Sequence, residues 1–309
     1  MRATPRFIRC AVAAITGAAL VAAPGSAVAH DDIPTLVDVR AAHHPAAAGR
    51  AAYDRLVFEF TGPVPEHYGL SWETEPRYGT ADVEEVGLVP ISGNAYLEVF
   101  FYEAWSHPEG DLGGGITYGP RSRAFALPNI MQVVNNDDFE ASMSFLVGVS
   151  QRAPVRLFTL TSPSRIVVDL DAGFRTVGVR TYFQDLPAYV AGRDPDVRAV
   201  TRQVLPPATA RGALQRLFAG PTKAEQDAGL RLVSSGAKGF SDLSIVDGVA
   251  KVRLTGGCTS GGSTFTVAGL VVPTLKQFPS VSWVKIYAPD GTTEHPTGRS
   301  DSVPECLEP

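Results

Sequence analysis

Residues 139–149 read Phe-Glu-Ala-Ser-Met-Ser-Phe-Leu-Val-Gly-Val. Phe139, Ala141, Met143, Phe145, Val147 and Val149 fall on every second position. Strand side chains alternate between faces, so this spacing predicts one long half-buried strand. Leu56, Phe58 and Phe60 repeat the pattern within Tyr53–Phe60, which Thr61-Gly62-Pro63 ends. Tyr96–Phe101, Ile130–Val134, Val155–Leu160 and Ile166–Leu170 read as further strands, and His67–Trp72 and Val83–Val89 as shorter ones. Pro163-Ser164 supplies the turn between the last pair of longer strands. Many short strands with almost no helical period predict an all-β sandwich or barrel.

The pattern changes after about Phe174. Val177–Tyr182 and Ala199–Leu205 read as strands. Pro206-Pro207-Ala208-Thr209 then opens a helix with Leu214, Leu217 and Phe218 at helical spacing, and Gly220-Pro221 stops it. Asp242–Val246 and Val249–Leu254 flank Asp247-Gly248, a strong hairpin signal. Thr264–Phe278 has a helical apolar face, with Pro273 expected to kink or split it. Val281–Tyr287 is a last strand. The order predicts a small α/β sandwich. The expected organisation is therefore a flexible lead-in (30–49) with one early strand at Thr35–Val39, an all-β sandwich (50–175), a small α/β sandwich (176–290) and a C-terminal tail (291–309).

Ahead of these, Arg2, Arg6 and Arg9 precede an uncharged apolar run from Cys10 to about Val28, which closes Ala27-Val28-Ala29. A basic start, an apolar stretch and a small-x-small site predict a secretory signal peptide over 1–29. The alternative is a single membrane anchor, but Pro24, Gly25 and Ser26 shorten the apolar part below the roughly 20 residues a span needs. Cys10 precedes the apolar run, which argues against a lipid-modified cysteine. Loss of the three arginines leaves 24 basic against 32 acidic side chains, a net charge near −8. That balance disfavours nucleic acid and anionic membranes as partners. It also leaves no second run able to span a membrane.

Two cysteines remain, Cys258 and Cys306. An even count in an exported chain predicts a disulfide, the alternative being two unpaired buried thiols. A bridge would close a long loop, worth about 4 kcal/mol at most in the chain-entropy picture, and would pin the polar tail.

Two stretches carry a resemblance to known families. Asp54–Pro63, Asp138-Phe139-Glu140 and Ser162-Pro163-Ser164-Arg165-Ile166-Val167-Val168-Asp169-Leu170 resemble the AMIN-like domain over about residues 50–172. The resemblance implies a β-sandwich that localises proteins to the cell envelope and is associated with peptidoglycan. Ala213–Thr222, Glu225 with Gly229-Leu230, Val246–Val252 and Thr274–Val281 resemble the GerMN domain of sporulation and spore germination proteins. That implies a small α/β fold acting in envelope assembly or protein contacts, and the pairing of Cys258 with Cys306 is similar to that of a subset of secreted GerMN proteins. AMIN amidases add a zinc hydrolase domain that is missing here, so the resemblance carries over targeting and not hydrolysis.

Catalytic signals are weak. The sequence holds no His-Glu-x-x-His, Cys-x-x-Cys or Gly-x-Ser-x-Gly pattern. The His43-His44 pair falls in the lead-in, and His30 would become the new N-terminus after cleavage; neither pattern makes a metal site on its own. Gly110, Gly113, Gly114 and Gly115 lack the Lys-Ser or Lys-Thr of a phosphate loop and read as a permissive hairpin loop. Trp105 before that loop, and Tyr118, Arg121 and Arg123 after it, pair aromatic faces with guanidinium groups, a combination suited to glycans. Trp105, Tyr118 and Arg121 are thus the candidate ligand contacts, with core packing the competing reading for the two aromatics. Arg165 and Asp169 read as structural, and Trp283 as core.

The resulting expectation is a secreted, non-enzymatic envelope protein with no cofactor. It would bind peptidoglycan or another wall polymer, an envelope protein, or both. The alternatives are a cryptic wall hydrolase and a purely structural assembly subunit.

Overall fold

A computed structural model describes residues 33–79, 87–108 and 115–309. The expected signal peptide over 1–29 with Cys10, His30, residues 83–86 of one expected strand, and Gly110, Gly113 and Gly114 lie outside the described residues.

Among the described residues, nine strands make the first half: β1 (Thr35–His44), β2 (Tyr53–Thr61), β3 (His67–Glu73), β4 (Ala95–Tyr102), β5 (Ser122–Ala124), β6 (Ile130–Phe139), β7 (Ser142–Val149), β8 (Val155–Thr161) and β9 (Ser164–Asp171). They form two antiparallel sheets, ordered β1-β2-β9-β8 and β3-β4-β7-β6-β5. Inward residues of both sheets fill one core, in which Phe58 meets Phe101 at 4.9 Å and Phe145 at 5.1 Å between ring centroids. This is the expected β-sandwich.

Two local readings are corrected. Residues 139–149 are not one strand. Phe139 ends β6 and Ser142 begins β7, joined by Glu140 (φ 48°) and Ala141 (φ 58°). Both turn residues adopt the left-handed region without being Gly or Asn, so the sequence carries no turn signal there. The turn also reverses the parity of Phe139, which faces outward beside Ser142 and is 49% exposed. Nor is 30–49 simply a lead-in. Thr35–His44 pairs with β2 along its length, and Leu36 and Val39 are buried. The early strand expected at Thr35–Val39 runs on to His44, and a bulge between Leu36 and Asp38 inserts one residue and breaks the period of two along it.

The second half contains β10 (Val177–Asp185), α1 (Leu186–Val190), β11 (Val197–Val204), α2 (Thr209–Ala219), α3 (Lys223–Asp227), β12 (Leu230–Arg231), β13 (Ala237–Val246), β14 (Val249–Gly256), α4 (Ala268–Lys276) and β15 (Trp283–Tyr287). One sheet is ordered β11-β10-β12 and the other β13-β14-β15, with β14 and β15 parallel. Helices α2 and α4 pack on them around Phe183, Leu214, Leu217, Leu254, Leu270 and Ile286, all fully buried. Asp247 (φ 50°) and Gly248 (φ 80°) make the expected hairpin turn. Pro273 does not split α4. It removes one hydrogen bond, while Leu270, Val271, Thr274 and Leu275 hold that face in the core. A capping box, Thr222 with Glu225, starts the unanticipated α3. Cys258 and Cys306 form the disulfide, with Cα atoms 5.7 Å apart. The tail has further holds: Ser302 bridges to Lys285 of β15, and the buried Lys285 ammonium donates to the carbonyls of His295 (2.5 Å) and Thr297 (3.2 Å).

Residues 33–309 form one compact unit, and α2 contacts both halves of it. Residues Ala213 to Ala219 are all buried. Leu214 and Leu217 face the second core, while Gln215 and Arg216 face the sandwich. Arg216 is 2% exposed and donates to the carbonyls of Phe125 (3.1 Å), Leu127 (2.6 Å), Pro128 (3.2 Å) and Ile130 (3.4 Å), and to Ser150 Oγ (3.3 Å). Burial pulls its pKa down to about 9, with the Arg202 charge adding to the effect and Asp54 opposing it, so the group stays charged at neutral pH. From the sandwich side, the buried Asp54 carboxylate accepts from the backbone N–H groups of Asn129 (2.7 Å) and Ile130 (2.9 Å). The 125–130 loop is therefore held from both sides. Arg216→Met should destabilise the chain by about 3–5 kcal/mol in urea unfolding, because truncation strands several buried carbonyls at once. A loss under about 1 kcal/mol would mean that the loop finds other partners.

Candidate binding face of the first domain

Of the three sequence candidates, Tyr118 is withdrawn from the surface. Tyr118 is 2% exposed, and its ring packs edge-on against Phe145 in the sandwich core at 5.4 Å. Burial raises its pKa above the ordinary phenol value, with Asp138 adding and Arg121 and Arg123 opposing. The ring therefore follows the core reading and offers no face to a ligand. Trp105 is half-buried, exchanges backbone hydrogen bonds with Pro34 and Leu36, and tilts against His107 at 5.2 Å. The exposed Arg121 guanidinium donates to Asn135 Oδ1 at 3.2 Å and lies 3.7 Å from Asp138.

The aromatic–guanidinium combination occurs instead on the outer face of the four-stranded sheet. Strand register decides this. Inward residues of β2 are Asp54, Leu56, Phe58 and Phe60, so Tyr53, Arg55, Val57 and Glu59 point outward. Arg55 stands opposite Asp169 of β9, and Asp169 opposite Arg156 of β8. One step along, Val57, Val167 and Phe158 form the next rung. The face thus carries an apolar strip edged by arginines.

Asp169 organises it. Its carboxylate is 3% exposed and accepts from Arg55 Nε (2.6 Å), a second Arg55 nitrogen (2.9 Å) and Arg50 (2.6 Å). Burial alone would raise its pKa; hydrogen bonds from Arg55 and Arg50 outweigh that and leave it below the ordinary carboxylate value. The guanidinium groups so fixed lie against aromatic rings. Arg50 sits 3.6 Å from the Tyr53 ring centre, and Arg55 sits 5.3 Å from Tyr53 and 5.4 Å from Phe158. His44 stacks on Tyr53 at 4.6 Å. Its neighbour His43 turns inward to Asp54 at 2.8 Å. Arg156 is exposed beside Phe158 at 5.8 Å and forms no ion pair among the described residues. Two arginines hold this carboxylate and a third, Arg156, stands opposite it across the β8–β9 pair, on a chain that is acidic as a whole. Arg165 is turned away, donating to the carbonyls of Ser162 and Pro163.

The opposite sheet is different in character. Its outer face has a groove of about 440 Å³ lined by Glu73, Glu75, Glu98 and Asp137 with Arg77, Phe100 and Tyr102 among its other walls. Arg77 pairs with Glu75, Glu98 accepts from Asn136, and Glu73 accepts from Ser71. That face repels polyanions.

Residues 34–172 match the family model of the AMIN-like domain, and residues 182–294 match that of sporulation and spore germination, Germane. The chain carries an AMIN-like domain followed by a Germane domain. No curated protein and no solved structure matches it. Neither domain is of a known catalytic family, and both point to the cell envelope or to sporulation. No helix among the described residues is long and apolar enough to cross a membrane.

Within the AMIN-like domain, Arg55 and Asp169 come from two separate blocks of the resemblance and meet in one ion pair. In the Germane domain, the block Ala213–Thr222 supplies α2 with its interdomain Arg216. Sequence reading missed Arg50, Tyr53, Arg156 and Phe158. The available signal was the alternation within Val155–Leu160, where Arg156 and Phe158 take the face opposite Val155 and Leu157.

Asp169→Asn should lower stability by about 1.5–3 kcal/mol at pH 7, since it removes charge-assisted bonds to two arginines. The sign with pH follows from the depressed pKa. The carboxylate's contribution is present above its unfolded value near pH 4 and is lost as pH falls through the lower folded value. Thermal melts of the two proteins should therefore draw together as pH falls below the ordinary carboxylate range; a difference that stays the same from pH 7 down to acid unfolding would contradict the ion-pair role.

Proposed function

We propose that this is a secreted, non-enzymatic envelope protein whose AMIN-like domain holds peptidoglycan on its outer Arg–aromatic face, while its Germane domain contacts a protein partner. The working division is a sandwich of 50–175, an α/β part of 176–290 and the tail, after a signal peptide that ends at Ala29. The observation that carries the reading is Arg156, unpaired and exposed beside Phe158, next to Arg55 and Arg50 fixed by buried Asp169.

The chemistry fits an amino-sugar polymer with peptide stems. Pyranose rings present C–H faces that pack on aromatic rings, and stem carboxylates accept paired hydrogen bonds from guanidinium. Arg50 and Arg55 are already ordered by Asp169, which reduces the entropy lost on binding. AMIN-like domains are associated with envelope interactions, which favours a wall polymer over other polyanions.

Because Arg216 joins the two halves, the test keeps the chain intact. The mature chain, residues 30–309, is sedimented with insoluble purified peptidoglycan at low and at physiological salt. Arg156→Glu with Phe158→Ala should reduce the retained fraction at least about tenfold, ~1.4 kcal/mol. Trp105→Ala with Arg121→Ala is run beside it. Loss in that pair alone would move the surface back to the Trp105 region, and no retention of the parent chain would end the wall-binding reading.

A further inference from the structure

A second groove, of about 420 Å³, runs along the seam between the two domains. One wall is the Leu88–Gly93 stretch with Tyr96 of the AMIN-like domain; the other is α2 and the first residues of β13. Its floor is preformed. Gln215 of α2 reaches across and donates to Asn94 Oδ1 at 2.7 Å and to the Gly93 carbonyl at 3.3 Å. Phe218 and Phe240 stack at 5.8 Å along the Germane wall, and Leu88 on the opposite wall is 55% exposed.

The charges are one-sided. Arg211 and Lys238 are both exposed, both line the groove, and neither forms an ion pair among the described residues. Arg211 lies over the Phe240 ring at 5.6 Å. No carboxylate lines the groove among the described residues. On a chain of formal net charge −5, two free cations flanking an aromatic floor are a local reversal of sign.

We propose that this seam is a docking site for a short extended peptide of a partner protein, in which carboxylates alternate with aromatic or branched apolar side chains. The apolar side chains rest on Phe218, Phe240 and Leu88, and the carboxylates pair with Arg211 and Lys238. Charge complementarity selects the occupant, and the two walls come from different domains, so occupancy fastens one to the other. The residues are separate from the wall-binding face, so failure of either reading leaves the other standing.

The test is fluorescence anisotropy with the mature chain and a fluorescein-labelled hexapeptide alternating aspartate and phenylalanine. A lysine–phenylalanine hexapeptide is the counterpart. The acidic peptide should saturate the chain, and R211E/K238E should weaken it at least about tenfold and invert the preference between the peptides. Both positions are exposed, so the fold is retained, which circular dichroism verifies. R175E/R193E makes the same change in net charge elsewhere and should leave binding within about twofold. Absence of saturation up to about 1 mM, equal binding of the two peptides, or an equal loss in R175E/R193E overturns the proposal.

Discussion

One buried guanidinium joins the two halves of this chain. Arg216 leaves a helix whose apolar residues belong to the Germane core and ends among four backbone carbonyls of the sandwich. A charged group in so dry a place is tolerated because its donors are nearly all engaged, in the planar fork geometry that only arginine offers. The same loop is gripped from below by Asp54, which binds two of its N–H groups. A loop rich in irregular backbone would otherwise bury unmatched polar groups. With both grips in place it becomes a rigid joint, and the interdomain seam inherits that rigidity through the neighbouring Gln215.

Rigidity also explains the binding face. Asp54 and Arg55 are adjacent on β2 and point to opposite sides. Asp54 stabilises the joint, and Arg55 meets Asp169 on the outside. Asp169 is nearly inaccessible, so it acts on a ligand only through the arginines it orients. The result is a set of guanidinium planes held against Tyr53 and Phe158, with Arg156 left open. Planar hydrogen bonding and stacking are what such an array offers a ligand.

Much of the architecture was legible in the sequence, and the gaps have physical causes. The sandwich followed from alternation in Tyr53–Phe60 and Val155–Leu170, and the Germane half from helix punctuation at Gly220-Pro221 and the Asp247-Gly248 turn. Only the first half of β1 was legible, because a one-residue bulge breaks its period, and the β6–β7 turn was hidden by left-handed Glu140 and Ala141. The candidate face was hidden for another reason. Arg55, Asp169 and Arg156 are far apart in sequence and become neighbours only through strand register, which alternation alone does not specify between distant strands. Tyr118 settles a choice the sequence left open, since an aromatic beside a glycine-rich loop fits either a ligand contact or the core, and here it is core. Arg216 was unremarkable in sequence because a helix packed on two sides shows only the stripe facing its own domain.

The most direct test of the central claim is hydrogen–deuterium exchange of the intact mature chain, with and without soluble muropeptides released from purified peptidoglycan. Binding on the Arg–aromatic face predicts added protection confined to peptides covering Arg50–Val57 and Val155–Leu160. Protection that appears instead along the acidic groove, in Tyr96–Tyr102 and Ser142–Leu146, or no added protection at saturating ligand, would contradict the account.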